Sequence, residues 1–190
     1  MEQVIYQFDE VLDDGFNVML LGDPYTLLEF QKKNNLPENL QTPFTTSKMG
    51  DEAVNVGAMM YLGYPPYSFS IGCTVYFNFS ESRVLGESSA NEIFNDMPNN
   101  KIHVTNGCIC LYTWRYLASF NQQAIDMLHK CILQRGYVEE REHDGRKFIV
   151  QNPVRQMVSC ENGYYSVQVV TESPDGDFPK VEFIFSSIVV

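Results

Sequence analysis

Residues Ser119 to Val150 constrain the fold more than any other stretch, because they read as one amphipathic helix that delivers the chain into a tight β-hairpin. Ser119 is of N-cap type and Gln122 follows three residues later, the spacing of a capping box. Ala124, Ile125, Leu128, Cys131 and Ile132 recur at helical spacing and form an apolar stripe. Lys130 and Arg135 suit the negative end of the helix, and Gly136 is placed to end it in a left-handed turn. Asp144 and Gly145 then separate Tyr137–His143 from Arg146–Gln151, the dipeptide favoured where two strands are joined by two residues. A chain built on such a unit is neither all-α nor all-β. The expectation is an α+β fold: a mostly antiparallel sheet with two or three helices packed on one face.

The rest of the chain supplies the other strands. Gln3–Leu12 alternates partially, with Val4, Tyr6 and Phe8 on one face, and Phe16–Leu21 returns as an apolar strand after the turn residues Asp13, Asp14 and Gly15. Asp23 as N-cap and Pro24 in the first turn start a helix carrying Leu27, Leu28 and Phe30, which Asn34, Asn35 and Pro37 stop. Pro37 to about Asp51 reads as a polar connection, and Ala53–Leu62 is apolar without a clear period. Two prolines make Gly63–Tyr67 a loop. Ser68–Phe79 reads as a strand with Phe69, Ile71, Cys73, Val75 and Phe77 on one face, and Ser88–Met97 as a short helix. Lys101–Tyr116 is a long strand bent at Asn106 and Gly107, Val154–Cys160 and Tyr164–Thr171 form a hairpin through Asn162 and Gly163, and Lys180–Val190 closes the chain as a strand. This organisation fits a single domain over residues 1–190, with a two-lobe division near residues 37–51 as the alternative.

Composition narrows the function classes. At 190 residues, 44% hydrophobic and 19% charged, the chain carries enough apolar material for a core and is not of disordered type. No run approaches the roughly 18 apolar residues of a membrane span, and the N-terminus, with Glu2, Asp9 and Glu10, lacks the basic start and apolar stretch of a signal peptide. Five cysteines at irregular spacing are no disulfide framework, so reduced thiols and a cytoplasmic location are expected. A net charge of −11 opposes direct nucleic-acid binding and steers basic partners toward the surface. The charge is also segregated: residues 1–31 hold seven acidic side chains and no Lys or Arg.

Motifs that carry chemistry are sparse. Asp9, Asp13, Asp14 and Asp23 are hard oxygen donors, but their spacing lacks the regular ligand alternation and closing Glu of a calcium loop; turn and cap roles account for them, and no metal or cofactor is expected. Cys108 and Cys110 share a strand face without the spacing or second pair of a zinc site, and they read as small core residues. No strained serine elbow, phosphate-cradling glycine loop or metalloprotease helix is present, which weighs against enzymatic activity. Tyr64 and Tyr67, flanking Pro65 and Pro66, are placed as rigid interface anchors.

These features together favour a small acidic protein-binding module that docks on a basic partner protein, with Asp9, Glu10, Asp13, Asp14, Tyr64 and Tyr67 as its contact residues. Inhibitors of the immunity-protein type share this composition. One alternative is an enzyme or small-ligand binder with a site between sheet and helix, lined by Cys108, Cys110, His103 and Glu140. Another is a structural subunit of a larger, phage or viral assembly, with Phe183–Val190 as an edge strand open to a neighbour.

Overall fold

The computed structural model describes residues 5–10, 18–63, 73–80, 82–85, 100–133, 138–143, 145–151, 156–172 and 180–189. Eleven strands are described: β1 (Ile5–Glu10), β2 (Val18–Gly22), β3 (Met60–Gly63), β4 (Cys73–Asn78), β5 (Lys101–Val104), β6 (Cys108–Thr113), β7 (Val138–His143), β8 (Arg146–Gln151), β9 (Gln156–Ser159), β10 (Gly163–Glu172) and β11 (Lys180–Ile188). Four α-helices join them, α1 (Pro24–Lys33), α2 (Gln41–Thr46), α3 (Met49–Asn55) and α4 (Gln122–Leu133), together with a 3-10 helix over Trp114–Ser119. The strands form two sheets, one of seven in the order β5-β10-β11-β4-β1-β8-β7 and one of four in the order β3-β2-β6-β9. Among the described pairings only β1 with β8 and β4 with β11 are parallel, so the fold is α+β with mostly antiparallel sheets.

Alternation in the smaller sheet explains how the layers stack. Met19, Leu21, Ile109, Leu111 and Val158 join a core with Val75, Phe77, Val167, Phe183 and Phe185 of the larger sheet. Leu20, Cys108, Cys110, Tyr112 and Met157 point the other way, into a second core with Leu27, Leu28 and Phe30 of α1, Phe44 of α2, Ala53 of α3, and Ile125 and Leu128 of α4. A period of two therefore buries both faces of one sheet, between a second sheet and the helices. Gly22 sits in close packing: a Cβ there would stand 2.8 Å from the Ala58 carbonyl oxygen.

Two buried carboxylates secure the chain between elements. Asp23, 0% exposed, caps α1 by accepting from Tyr25 N through Oδ1 (2.9 Å), as its N-cap position predicts. Its Oδ2 also accepts from Thr105 N (2.9 Å) and Asn106 N (2.8 Å), at the turn where the chain leaves the larger sheet for the smaller one. Glu182, also 0% exposed, lies on the outer face of the larger sheet. It accepts from Asn78 Nδ2, Val84 N and Leu85 N at 2.6, 2.8 and 3.0 Å, fastening the segment after β4 so that Leu85 packs on Val170 and Ile184. Each carboxylate is met by the multiple donors that its burial requires.

Several expected elements take different form. The helix over 122–133 begins at Asn121, whose Oδ1 accepts from Ala124 N (2.9 Å), and Ser119 instead closes the 3-10 helix. Phe120 causes the break: it is buried in extended conformation, with its N–H on Glu38 O and its carbonyl taken by Gln31 Nε2. The hairpin after it is present, β7 pairing β8 with His143 opposite Arg146 and Gly145 at φ +73°. The stretch 37–51, expected as a polar connection, contains α2 and the start of α3, because Leu40 and Phe44, four residues apart, are drawn into the helical core. Lys101–Tyr116 is not one bent strand but β5 and β6, in different sheets, followed by 3-10 helix. β9 and β10 are likewise no hairpin: Asn162 Oδ1 accepts from Gly107 N at 2.6 Å, and the chain passes between sheets there. β1 and β2 also lie in separate sheets. The C-terminal strand sits between β10 and β4, so its Lys180–Ile184 part is interior and not an edge. The helix expected over Ser88–Met97 lies outside the described residues.

Two substitutions test this account with opposite signs. Asp23→Ala removes a helix cap and strands two further backbone donors, and is expected to destabilise the protein by about 3–5 kcal/mol in urea unfolding. Tyr112 is 3% exposed and its hydroxyl has no hydrogen-bond partner among the described residues, so Tyr112→Phe is expected to be neutral or to stabilise by up to about 1 kcal/mol.

Candidate functional site

Strand alternation places one ring pair outside the core. Ile102 and Val104 of β5 and Tyr165 of β10 point into the core between the sheets, so His103 and Tyr164 point to the opposite face. They are register partners across β5 and β10, and their rings stack with centroids 4.0 Å apart and planes 4° from parallel. Gly57, in the turn after α3, accepts from His103 N at 2.8 Å and so ties that turn to the edge of the larger sheet. The result is an open groove of about 480 Å³. Thr26, Glu29, Phe30 and Lys33 line it from one face of α1, at helical spacing. Glu52, Asn55 and Val56 line it from the end of α3, and the stacked rings line it from the sheet. Glu29, Lys33, Glu52 and Asn55 are exposed, Val56 is 53% exposed, and Thr26 is held underneath by its Oγ1 to Thr105 Oγ1 at 2.8 Å.

A second polar cluster joins α1 to α4. Tyr25 Oη lies 3.0 Å from His129 Nδ1 and donates to Asp126 Oδ1 at 3.3 Å, and Gln122 Nε2 donates to the same oxygen at 2.8 Å. Burial and the Asp126 carboxylate push the Tyr25 phenol up to about 12, so it stays protonated at neutral pH. A phenol held in this state is a hydrogen-bond bridge between two helices, not an activated nucleophile or base.

The surroundings of Cys108 and Cys160 oppose thiolate formation. Cys108 and Cys110 are buried against the helices. Burial pushes the Cys108 thiol far above its ordinary range, with the Asp23 carboxylate adding to the effect. Burial also raises half-buried Cys160 to about 12. A reactive cysteine needs the reverse, a lowered pKa beside positive charge.

Of the residues proposed from sequence as a polar lining, only His103 reaches the groove. Glu140 is exposed on β7, at the opposite edge of the larger sheet from β5, and Cys108 and Cys110 face the helical core. Asp9 and Glu10 end β1, opposite Thr74 and Cys73 of β4. Their side chains, together with Asp13, Asp14, Tyr64 and Tyr67, lie outside the described residues. Trp114 and Tyr116 flank the 3-10 helix start, Trp114 half-buried 5.9 Å from Tyr61 and Tyr116 39% exposed. The groove residues Glu29, Glu52 and Tyr164 carry no local signal, since only strand pairing brings Tyr164 beside His103 and only helix packing brings α3 beside α1. Among the described residues no group of three or more His, Cys, Asp or Glu side chains is arranged to hold a metal ion, and no helix is long and apolar enough to cross a membrane.

No protein-family model, curated protein or solved structure matches the chain.

The thiol environment makes a pH prediction. In a Cys73→Ser, Cys110→Ala, Cys131→Ser background only Cys108 and Cys160 remain, and thiolate absorbance of the folded protein is expected to stay absent at pH 10 and to appear on unfolding in urea at that pH. Because burial lifts the folded Cys160 thiol from its ordinary 9.0 to about 12, its stabilising contribution is complete below pH 9 and is lost as pH rises toward 12. Thiolate forming near pH 8 in the folded protein would contradict this environment.

Proposed function

We propose that this chain is a protein-binding module that docks on a partner with a basic surface. The observation that carries the reading is the segregated negative charge, −11 in total with seven acidic and no basic side chains in the first 31 residues. Exposed carboxylates of Glu29, Asp51 and Glu52 on the helices and Glu140 and Glu142 on β7 extend that character over the surface. Such a field accelerates encounter with a basic protein and sets register, while aromatic anchors hold the complex. Asp9, Glu10, Asp13 and Asp14 supply the steering charge in this reading, and Tyr64 and Tyr67 the anchors. An inhibitory mode of the immunity-protein type fits a module that covers a basic active surface with acidic side chains. The groups available for catalysis favour binding as well: His103 and Glu140 stand at opposite edges of one sheet, and the Cys108 thiol is buried and protonated.

The test uses the whole chain as bait in an extract of its own host, at about 50 and about 200 mM salt. A basic protein is expected to be retained at the lower salt and released at the higher. Neutralising the acidic run (Asp9→Asn, Glu10→Gln, Asp13→Asn, Asp14→Asn) slows association, and Tyr64→Ala with Tyr67→Ala speeds dissociation by about tenfold or more. Retention that ignores salt and all six substitutions overturns the proposal.

A further inference from the structure

We infer that the groove between α1, α3 and the His103–Tyr164 stack is the site that receives an arginine side chain of the partner protein. This assignment rests on the protein-binding reading above and names where one basic group would go. Three independent features of the groove select a planar cation. The first is charge: α1 and α3 each supply an exposed carboxylate, Glu29 and Glu52. The second is the backbone: Asn55 and Val56 end α3, so a helix end with negative partial charge borders the space, whereas Lys32 and Lys33 in the last turn of α1 offset the corresponding charge there. The third is shape: His103 and Tyr164 line the groove as a parallel stack, which a planar group can extend on an outer ring face.

A guanidinium uses all three at once. It stacks on an aromatic face, forms paired hydrogen bonds to a carboxylate, and sheds water more readily than an ammonium. A lysine ammonium uses the charge and the helix end but meets a ring less well than a planar guanidinium does, and a neutral planar group uses only the ring surface. The volume of about 480 Å³ exceeds what one arginine side chain fills, so backbone flanking the arginine also enters. Lys33 is the one lining group that opposes a cation, and it stands at the α1 end of the groove, four residues after Glu29.

The experiment titrates the whole chain with N-acetyl-arginine methylamide, and with the matching lysine and citrulline compounds, following the His103 ring and the Tyr164 and Val56 amides by NMR. Saturable shifts at all three positions are expected with arginine. Lysine and citrulline should bind more weakly by about tenfold, a difference of the size of one charge-assisted hydrogen bond. Glu29→Gln with Glu52→Gln, both exposed, should leave the fold intact and abolish the shifts; Tyr164→Leu should weaken arginine more than lysine, and Lys33→Met should tighten both. Equal binding of citrulline, equal binding of lysine, or no saturable shift with arginine each overturns the assignment. The same groove variants in the host-extract experiment separate the two proposals. A salt-sensitive partner retained undiminished by Glu29→Gln and Glu52→Gln leaves the docking surface standing and removes the groove from it.

Discussion

The Asp23 carboxylate is the contact on which the arrangement of layers depends. It lies where β2 ends and α1 begins, and it takes backbone donors both from α1 and from the turn between β5 and β6. That turn is one of the passages between the two sheets. One side chain therefore sets the start of a helix and a point at which the chain changes layers. The arrangement is favourable because a buried charge must be surrounded by donors, and backbone N–H groups at a helix start and a tight turn are the donors lacking other partners. Burial keeps the Cys108 thiol from ionising, and the Asp23 carboxylate, 3.6 Å from its Sγ, adds to the effect.

The groove follows from this arrangement. Thr26 and Thr105, next to the two sides of the Asp23 contact, bond to each other and hold α1 against the end of β5. Gly57 bonds His103 from the other side. The edge of the larger sheet is thus held near two helix ends, and the pair of rings on its outer face is left beside a polar opening. Edge strands are exposed pairing templates, and here the opening is bordered by charged helices while the opposite edge, β7, carries Glu139, Glu140, Arg141 and Glu142. The proposed recognition surface and the protection of the sheet edges draw on the same acidic composition.

Local patterns in the sequence determined the local elements. Asp23 and Pro24 mark the start of α1, Asn34 its end, and Asp144-Gly145 the β7–β8 turn, because each depends on backbone conformations that only a few residue types favour. Alternation in β4 put Val75 and Phe77 on one face, and both lie in the core between the sheets. The α+β class with mostly antiparallel pairing also follows from these patterns, as does the acidity that underlies the proposed function. Tertiary structure decided what alternation and turn residues do not encode, namely which strand pairs with which. Asn162-Gly163 and Asn106-Gly107 look like hairpin and bend, yet both carry the chain between sheets, because a turn dipeptide specifies a reversal but not its partner. Phe120 overrode the cap at Ser119 because burying an aromatic ring is worth more than one capping bond. The groove belongs wholly to this second level: His103 and Tyr164 are 61 positions apart in the sequence and meet only because β5 and β10 pair in register.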